Sequence, residues 1–180
     1  MSRRRRVMHI KLRVIMKTTI VYTILILTAA TLFSCRKEYS VENGNSLPAD
    51  FTAQINGVTW DAADSTPVAT IAQGTITITG TATDASQLTI SLNDTIIGTY
   101  TLNQQTTSVA TFSNAVSSIY NYATNEGSDT AQAGGTVNVM SIDPVGKTIS
   151  GIFSFKAYRQ LDSTQEVFTS GVFYKVPYTD

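Results

Sequence analysis

The residue types that carry most enzyme chemistry are scarce in this sequence of 180 residues. Its one histidine, His9, lies in a basic N-terminal segment, and its one cysteine is Cys35. Catalysis by a Ser–His or Cys–His pair needs an imidazole, and so do most zinc sites. Because no histidine follows residue 9, the sequence predicts no nucleophilic enzyme of this kind, no metal site and no cofactor.

Carboxylates remain as candidate chemical groups, because glycoside hydrolysis needs only two of them. The acidic residues after position 50 stand mostly in turn-like contexts, where aspartate commonly closes a turn. Two clusters, at 61–65 and 125–129, offer oxygen ligands that Ca²⁺ accepts, but without the spacing of a calcium loop. Solvated loops are the favoured interpretation, and an acidic-residue glycoside hydrolase ranks last among the functions.

Two tyrosines are the candidate ligand-binding residues. Tyr120 and Tyr122 flank Asn121 and share one face if this segment is a strand. The residues that follow, up to Gly135, are rich in Asn, Ser, Thr and Gly. Aromatic rings stack on sugars and peptides while such polar groups form hydrogen bonds, so the segment could bind either ligand. The alternative is a strand end followed by a long hairpin loop.

The N-terminal segment predicts export from the cytoplasm. Seven basic residues and no acidic residue precede Cys35, and residues 18–34 form an apolar run. A basic region followed by an apolar run and small residues predicts a secretory signal peptide with a signal helix. The sequence Leu32-Phe33-Ser34-Cys35 resembles the lipobox of bacterial lipoproteins. That resemblance implies cleavage before Cys35, a diacylglyceryl thioether on its sulfur, and acylation of its new amino group by fatty acids such as palmitate.

The chain therefore divides into three predicted segments. Residues 1–34 are the signal peptide, of which 1–15 are either a long basic region or an over-extended start before Met16. Residues 35–49 hold the lipidated cysteine and a polar, flexible tether, and 50–180 form the folded domain. From Cys35 onward six basic residues face thirteen acidic ones, a net charge of −7, which argues against nucleic-acid binding.

Alternating residues predict that the domain is all β. Ile76 and Ile78 alternate with threonines, and Leu88, Ile90 and Leu92 alternate with Thr89 and Ser91. Turn signals recur about every ten residues, which is typical of a sandwich or barrel. We expect nine or ten short strands in a single antiparallel β-sandwich of Ig-like general type, with a closed β-barrel as the alternative. Gly151 inside a strand predicts a bulge or a close backbone approach.

The first hairpin can be predicted in register. Asn56-Gly57 is the preferred pair for a type I′ turn, and a two-residue loop sets Ile55 opposite Val58 and Ala53 opposite Trp60. We expect all four of these side chains to pack inward, with Trp60 as a core anchor rather than a sugar-stacking platform.

Three segments carry a family resemblance: F-x-A-x-I-N-G-x-x-W at 51–60, I-S-G-I-F-S-F at 149–155 and T-S-G-V-F-Y-K-V-P-Y at 169–178. Together they resemble small lipoproteins of the phylum Bacteroidota that carry one β domain of unknown function. The resemblance implies a fold and an attachment to the outer membrane, on either its periplasmic or its surface side. It supplies no catalytic residue.

Three functions follow, each with a structural feature that favours it. The first is a non-enzymatic envelope module that binds glycan, peptide or an envelope protein, favoured by an exposed aromatic cleft. The second is an accessory lipoprotein of a membrane complex, favoured by an open sheet edge or an apolar strip. The third is the hydrolase, favoured by two carboxyl groups about 5–10 Å apart in a groove.

Overall fold

The computed structural model describes residues 50–114 and 121–180 of the chain. Cys35, the signal peptide, the tether and Tyr120 lie outside this range. The strands are β1 (Asp50–Ile55), β2 (Val58–Asp61), β3 (Val68–Ala72), β4 (Thr75–Thr81), β5 (Gln87–Leu92), β6 (Gly98–Leu102), β7 (Val109–Ser113), β8 (Asn121–Ala123), β9 (Gly134–Asp143), β10 (Thr148–Arg159) and β11 (Thr164–Thr179). The all-β prediction is confirmed, with eleven strands in this range rather than nine or ten. Within residues 50–114 and 121–180, no helix is long and apolar enough to cross a membrane.

The strands form one continuous mixed sheet rather than two separate antiparallel ones. Its order is β2-β1-β11-β3-β4-β5-β7-β8-β10-β9-β6, and β10 also pairs with β11. The β11–β3 pairing is parallel, which corrects the expectation of a purely antiparallel sheet. The sheet is continuous because the long strands β10 and β11 pair along both of their edges. The β10–β11 pairing joins the two ends of the run β11-β3-β4-β5-β7-β8-β10, but β2 and β6 still end the strand order, so the whole sheet is not a barrel without edges.

The pairings divide the sheet into two layers. The six-strand layer runs β2-β1-β11-β10-β9-β6 with antiparallel neighbours throughout. The five-strand layer runs β3-β4-β5-β7-β8. Aromatic side chains join them, since the ring of Phe112 on β7 lies 5.3 Å from that of Phe168 on β11. The core therefore lies between the layers.

The predicted alternation sets the core. Ile76, Ile78, Leu88, Ile90 and Leu92 are all fully buried, while the threonines between them face outward. A fully buried side chain of this size contributes about 1.5–3 kcal/mol through removal of apolar surface from water.

The prediction for Gly151 is confirmed in both of its parts. The register of β10 shifts at this residue against both β9 and β11. A Cβ there would lie 2.3 Å from the Asn138 carbonyl oxygen and 2.3 Å from the Phe173 ring.

The first hairpin has the predicted register and turn. Asn56 and Gly57 have φ angles of 51° and 81°, and Ala53 pairs with Trp60. Trp60 is 6% exposed, so the core-anchor prediction is confirmed. The expectation for Val58 is wrong: it is 70% exposed, because the end of the hairpin next to the turn lies outside the core.

Two neighbouring glycines, Gly134 and Gly135, form the start of β9. The two residues pair with Lys156 and Phe155 on β10. A Cβ on Gly135 would lie 2.3 Å from the Ser154 carbonyl oxygen, so glycine is needed there for a close approach between neighbouring strands.

Candidate functional site

The tyrosine that the structure describes, Tyr122, is part of the core. It lies on β8 with 4% of its surface exposed, beside the ring of Phe112. The Arg159 guanidinium lies 4.4 Å from the centre of the Tyr122 ring, and the Tyr122 phenol is hydrogen-bonded to the Thr164 hydroxyl at 3.2 Å. These contacts correct the prediction that the Tyr122 ring is open to a ligand. Its predicted companion, Tyr120, lies outside the described residues.

The loop after Tyr122 is hydrogen-bonded to side chains from neighbouring segments. The Gln104 amide donates hydrogen bonds to the carbonyl oxygens of Glu126 and Asp129, at 3.0 and 3.1 Å. The Gln165 amide donates to the carbonyl oxygens of Ala131 and Gln132. Several backbone acceptors of the loop are therefore already used within the domain.

Several carboxylates close turns, as their sequence contexts predict. Asp143 accepts hydrogen bonds from the amides of Val145 and Gly146, which hold the pKa of this carboxyl below its usual range. Asp162 accepts from Arg159 and Thr164, and the Arg159 hydrogen bond is the main cause of its lowered pKa. Across residues 50–114 and 121–180 no three His, Cys, Asp or Glu residues lie close enough to hold a metal ion.

The β2 end of the six-strand layer is closed by contacts with the other layer. Ala62, just after β2, forms a bridge with Ala82, just after β4. The Ala63 amide then donates to the Thr81 carbonyl oxygen at 2.9 Å. The chain leaving β2 is thus hydrogen-bonded to the five-strand layer, and β2 itself is a strand of only four residues.

A polar relay beneath β2 strengthens this closure. The Trp60 indole N–H donates to the Ser86 hydroxyl at 2.8 Å, and that hydroxyl donates to an Asp84 carboxylate oxygen at 2.6 Å. The hydrogen bond from the Ser86 hydroxyl is the main cause of the lowered Asp84 pKa, and the Ser86 amide adds to it. The relay satisfies the buried indole and ties the two layers together.

The opposite end of the layer, β6, is an open edge. In the described part of the chain β6 pairs with β9 alone, in a regular antiparallel register from Gly98–Val139 to Leu102–Gly135. Its sequence, GTYTL, contains no charged residue and no proline. Edge strands of natural proteins are usually guarded against pairing by lysine, proline, bulges or covering loops. The sequence and pairing of β6 show none of the first three.

A groove of about 480 Å³ follows this open edge. One side is β6 itself, and the other is formed by Asn93 and Asp94 after β5 and by residues 105–108 before β7. The Asn93 backbone N–H donates to the Ser108 hydroxyl at 3.0 Å, and this hydrogen bond joins the segment after β5 to the segment before β7.

Tyr100 organises the entrance of the groove. Its phenol donates a hydrogen bond to the Ile96 carbonyl oxygen at 2.6 Å, and burial raises the pKa of this phenol. This contact fixes the segment before β6. Ile96 and Ile97 are nevertheless 61% and 57% exposed, so two apolar side chains stand in water at the start of the edge.

A comparison with protein families identifies the domain at a coarse level. A family model described as "Domain of unknown function (DUF6252)" matches residues 48–177. The chain belongs to this family. The match runs from just before β1 into the end of β11, so both ends of the six-strand layer belong to the DUF6252 domain. Searches of curated proteins and of solved structures find no match.

Sequence reasoning missed the open edge because the strand order cannot be derived from a strand pattern. β6 follows β5 in the chain but pairs with β9, more than thirty residues later. One signal was present, namely a strand of threonine, tyrosine and leucine without a charge or a proline.

Proposed function

We propose that this DUF6252 protein is a lipid-anchored accessory protein of the bacterial envelope, which binds a protein partner by adding its extended strand to β6. The observation that carries the proposal is the open β6 edge with a groove along it. Strand addition gives affinity through main-chain hydrogen bonds and specificity through pockets for alternate side chains.

The anchor is supported by the N-terminal sequence. An apolar run ends at Leu32-Phe33-Ser34-Cys35, the pattern that resembles a lipobox. Residues 36–49 would then connect a lipidated Cys35 to β1. A fully extended chain of that length spans about 45 Å, enough to let the domain reach a membrane-embedded neighbour.

Protein rather than glycan is the proposed ligand, because the two aromatic candidates for sugar stacking that the structure describes are occupied. Trp60 and Tyr122 are both buried and hydrogen-bonded within the domain. Binding rather than catalysis is proposed because the chain after Cys35 lacks histidine and cysteine, and the carboxylates of Asp143 and Asp162 serve turns.

The test places a photo-cross-linking residue at Thr101 on the open edge or, as a matched control, at the exposed Thr59 on β2. The expected result in intact cells is a discrete adduct from position 101 whose cross-linked peptide belongs to an envelope protein. The adduct should be absent from position 59. Equal adducts at both positions, or none at 101, would refute binding at β6.

The anchor has its own test. Cys35→Ala should block processing or release the protein from membranes, and it should weaken the adduct at position 101. Unchanged gel mobility and unchanged membrane fractionation of the variant would refute lipidation.

A further inference from the structure

The chemistry of the β6 groove points to one class of partner. Resting on the proposed function, we infer that the strand added to β6 is an extended basic segment, with lysine or arginine beside Asp94 and an apolar side chain against Ile96 and Ile97.

The backbone of β6 sets the form of the ligand. Every second residue of an edge strand turns its N–H and C=O away from its neighbour. The groups that β6 does not use with β9 therefore point outward from the sheet, on a strand whose residues 98–101 line the groove. Because side chains alternate along a strand, an added strand would place alternate residues beside Tyr100 on one face and beside Thr99 and Thr101 on the other. The ligand must therefore be extended.

Charge sets the basic character of the ligand. Asp94 is the one charged residue among those lining the groove. Its carboxylate accepts a hydrogen bond from the Thr95 amide at 2.6 Å, and the ion pairs found in the described residues, Lys147–Asp180 and Arg159–Asp162, do not involve it. Residues 50–180 hold four basic and eleven acidic side chains, a net charge of −7, so the surrounding field also favours a cationic segment.

The exposed isoleucines set the apolar part. Ile96 and Ile97 lie immediately before β6, and Ile96 lines the groove together with Asp94. An apolar side chain near the basic end of the ligand would cover them. A second copy of this chain fits less well, because its own β6 carries no basic residue and would bring a second Asp94 to the contact.

The experiment uses the full-length chain in detergent and short capped peptides of alternating valine and threonine. One peptide ends in lysine, a second has glutamate instead, and a third is the lysine peptide with alternate backbone nitrogens methylated. Fluorescence anisotropy gives each Kd. The lysine peptide should bind, the methylated one should not, and glutamate should raise Kd about two- to fivefold, the size expected of an exposed charge pair.

Matched variants assign the charge effect to one residue. Asp94→Asn should remove the difference between the lysine and glutamate peptides, whereas Asp64→Asn, an exposed aspartate near the closed β2 end, should keep it. Backbone-dependent binding with equal affinity for both peptides would overturn the basic partner and leave strand addition intact. No binding of any peptide, or a chain already dimeric through β6, would overturn strand addition as well.

Discussion

The two edge strands of the six-strand layer, β2 and β6, differ in their contacts with the rest of the domain. At the β2 end the Ala62–Ala82 bridge and the hydrogen bond from the Ala63 amide to the Thr81 carbonyl oxygen join the chain to the five-strand layer, next to the Trp60–Ser86–Asp84 relay. At the other end β6 pairs with β9 alone among the residues that the structure describes, and a groove runs beside it. The chain that leaves the short edge strand β2 is fixed to the other layer by the fold itself, whereas the β6 edge is available to a second chain.

The difference shows that, in the described part of the chain, contacts which stabilise the fold are found at the β2 end and not at the outer edge of β6. A sheet with free ends exposes unpaired N–H and C=O groups, which is a route to aggregation unless the edge is guarded or occupied. The buried Trp60 ring and the buried Ser86 hydroxyl lie under β2, whereas β6 is flanked by the exposed Ile96 and Ile97. Substitutions under β2 should therefore change stability, and substitutions around β6 should change binding.

The largest expected effect comes from removing the anchor under β2. Trp60→Ala should lower the free energy of unfolding by about 3–5 kcal/mol, because a fully packed aromatic leaves a cavity. Urea denaturation measures it, with the exposed neighbour Thr59→Ala as control and expected within about 0.5 kcal/mol of wild type. A loss below about 1 kcal/mol for Trp60→Ala would show that the β2 end is not anchored by this side chain.

A smaller loss should follow from breaking the relay alone. Ser86→Ala leaves the buried Trp60 indole N–H without its acceptor, which should cost about 1–3 kcal/mol. The indole environment offers a second measurement, since near-ultraviolet circular dichroism should change with the variant. An unchanged free energy of unfolding would mean that the hydrogen bond between Trp60 and Ser86 does not contribute to closure.

The relay should also make the β2 end sensitive to acid. Because the Asp84 pKa is lowered in the folded state, its contribution is fully present above its unfolded pKa of about 3.8 and is lost as the pH falls through the folded value. Wild type should therefore be more stable than Asp84→Asn at neutral pH, and the difference should shrink as the pH falls below about 3.8. A difference that is constant over this range would contradict the shift.

The smallest effect on stability is expected at the open edge. Ile97→Ser should change the free energy of unfolding by no more than about 0.5 kcal/mol, since the side chain is 57% exposed. It should nevertheless weaken binding of the lysine peptide severalfold. A large loss of stability would show that Ile97 packs within the domain, and unchanged peptide affinity would remove it from the binding surface.

Local patterns predicted the local structure well. The alternation around Ile76 and Ile78 and the Asn56-Gly57 turn follow from side-chain periodicity and backbone preference, and both were found. The prediction that Val58 is buried was wrong, because the register of a hairpin determines which face a residue lies on but not how far the core extends along the hairpin. The prediction that the Tyr122 ring is open to a ligand was wrong, because the same loop composition is compatible with an exposed ring and with a ring covered by Arg159.

Non-local pairing explains the rest of what the sequence did not predict. The partner of β6 and the parallel contact between β11 and β3 depend on how distant segments meet. Short strands of similar composition carry little information about such neighbours, so the open edge became evident only from the fold.

Residue-resolved hydrogen exchange on the full-length chain in detergent tests the central contrast most directly. The amides of Ala62 and Ala63 should be protected, because they donate to the carbonyl oxygens of Phe51 and Thr81. Every second amide of β6 should instead exchange at nearly the unprotected rate in the free protein. Protection at every position of β6, or an Ala63 amide as labile as those of β6, would contradict an edge left open beside one that is closed.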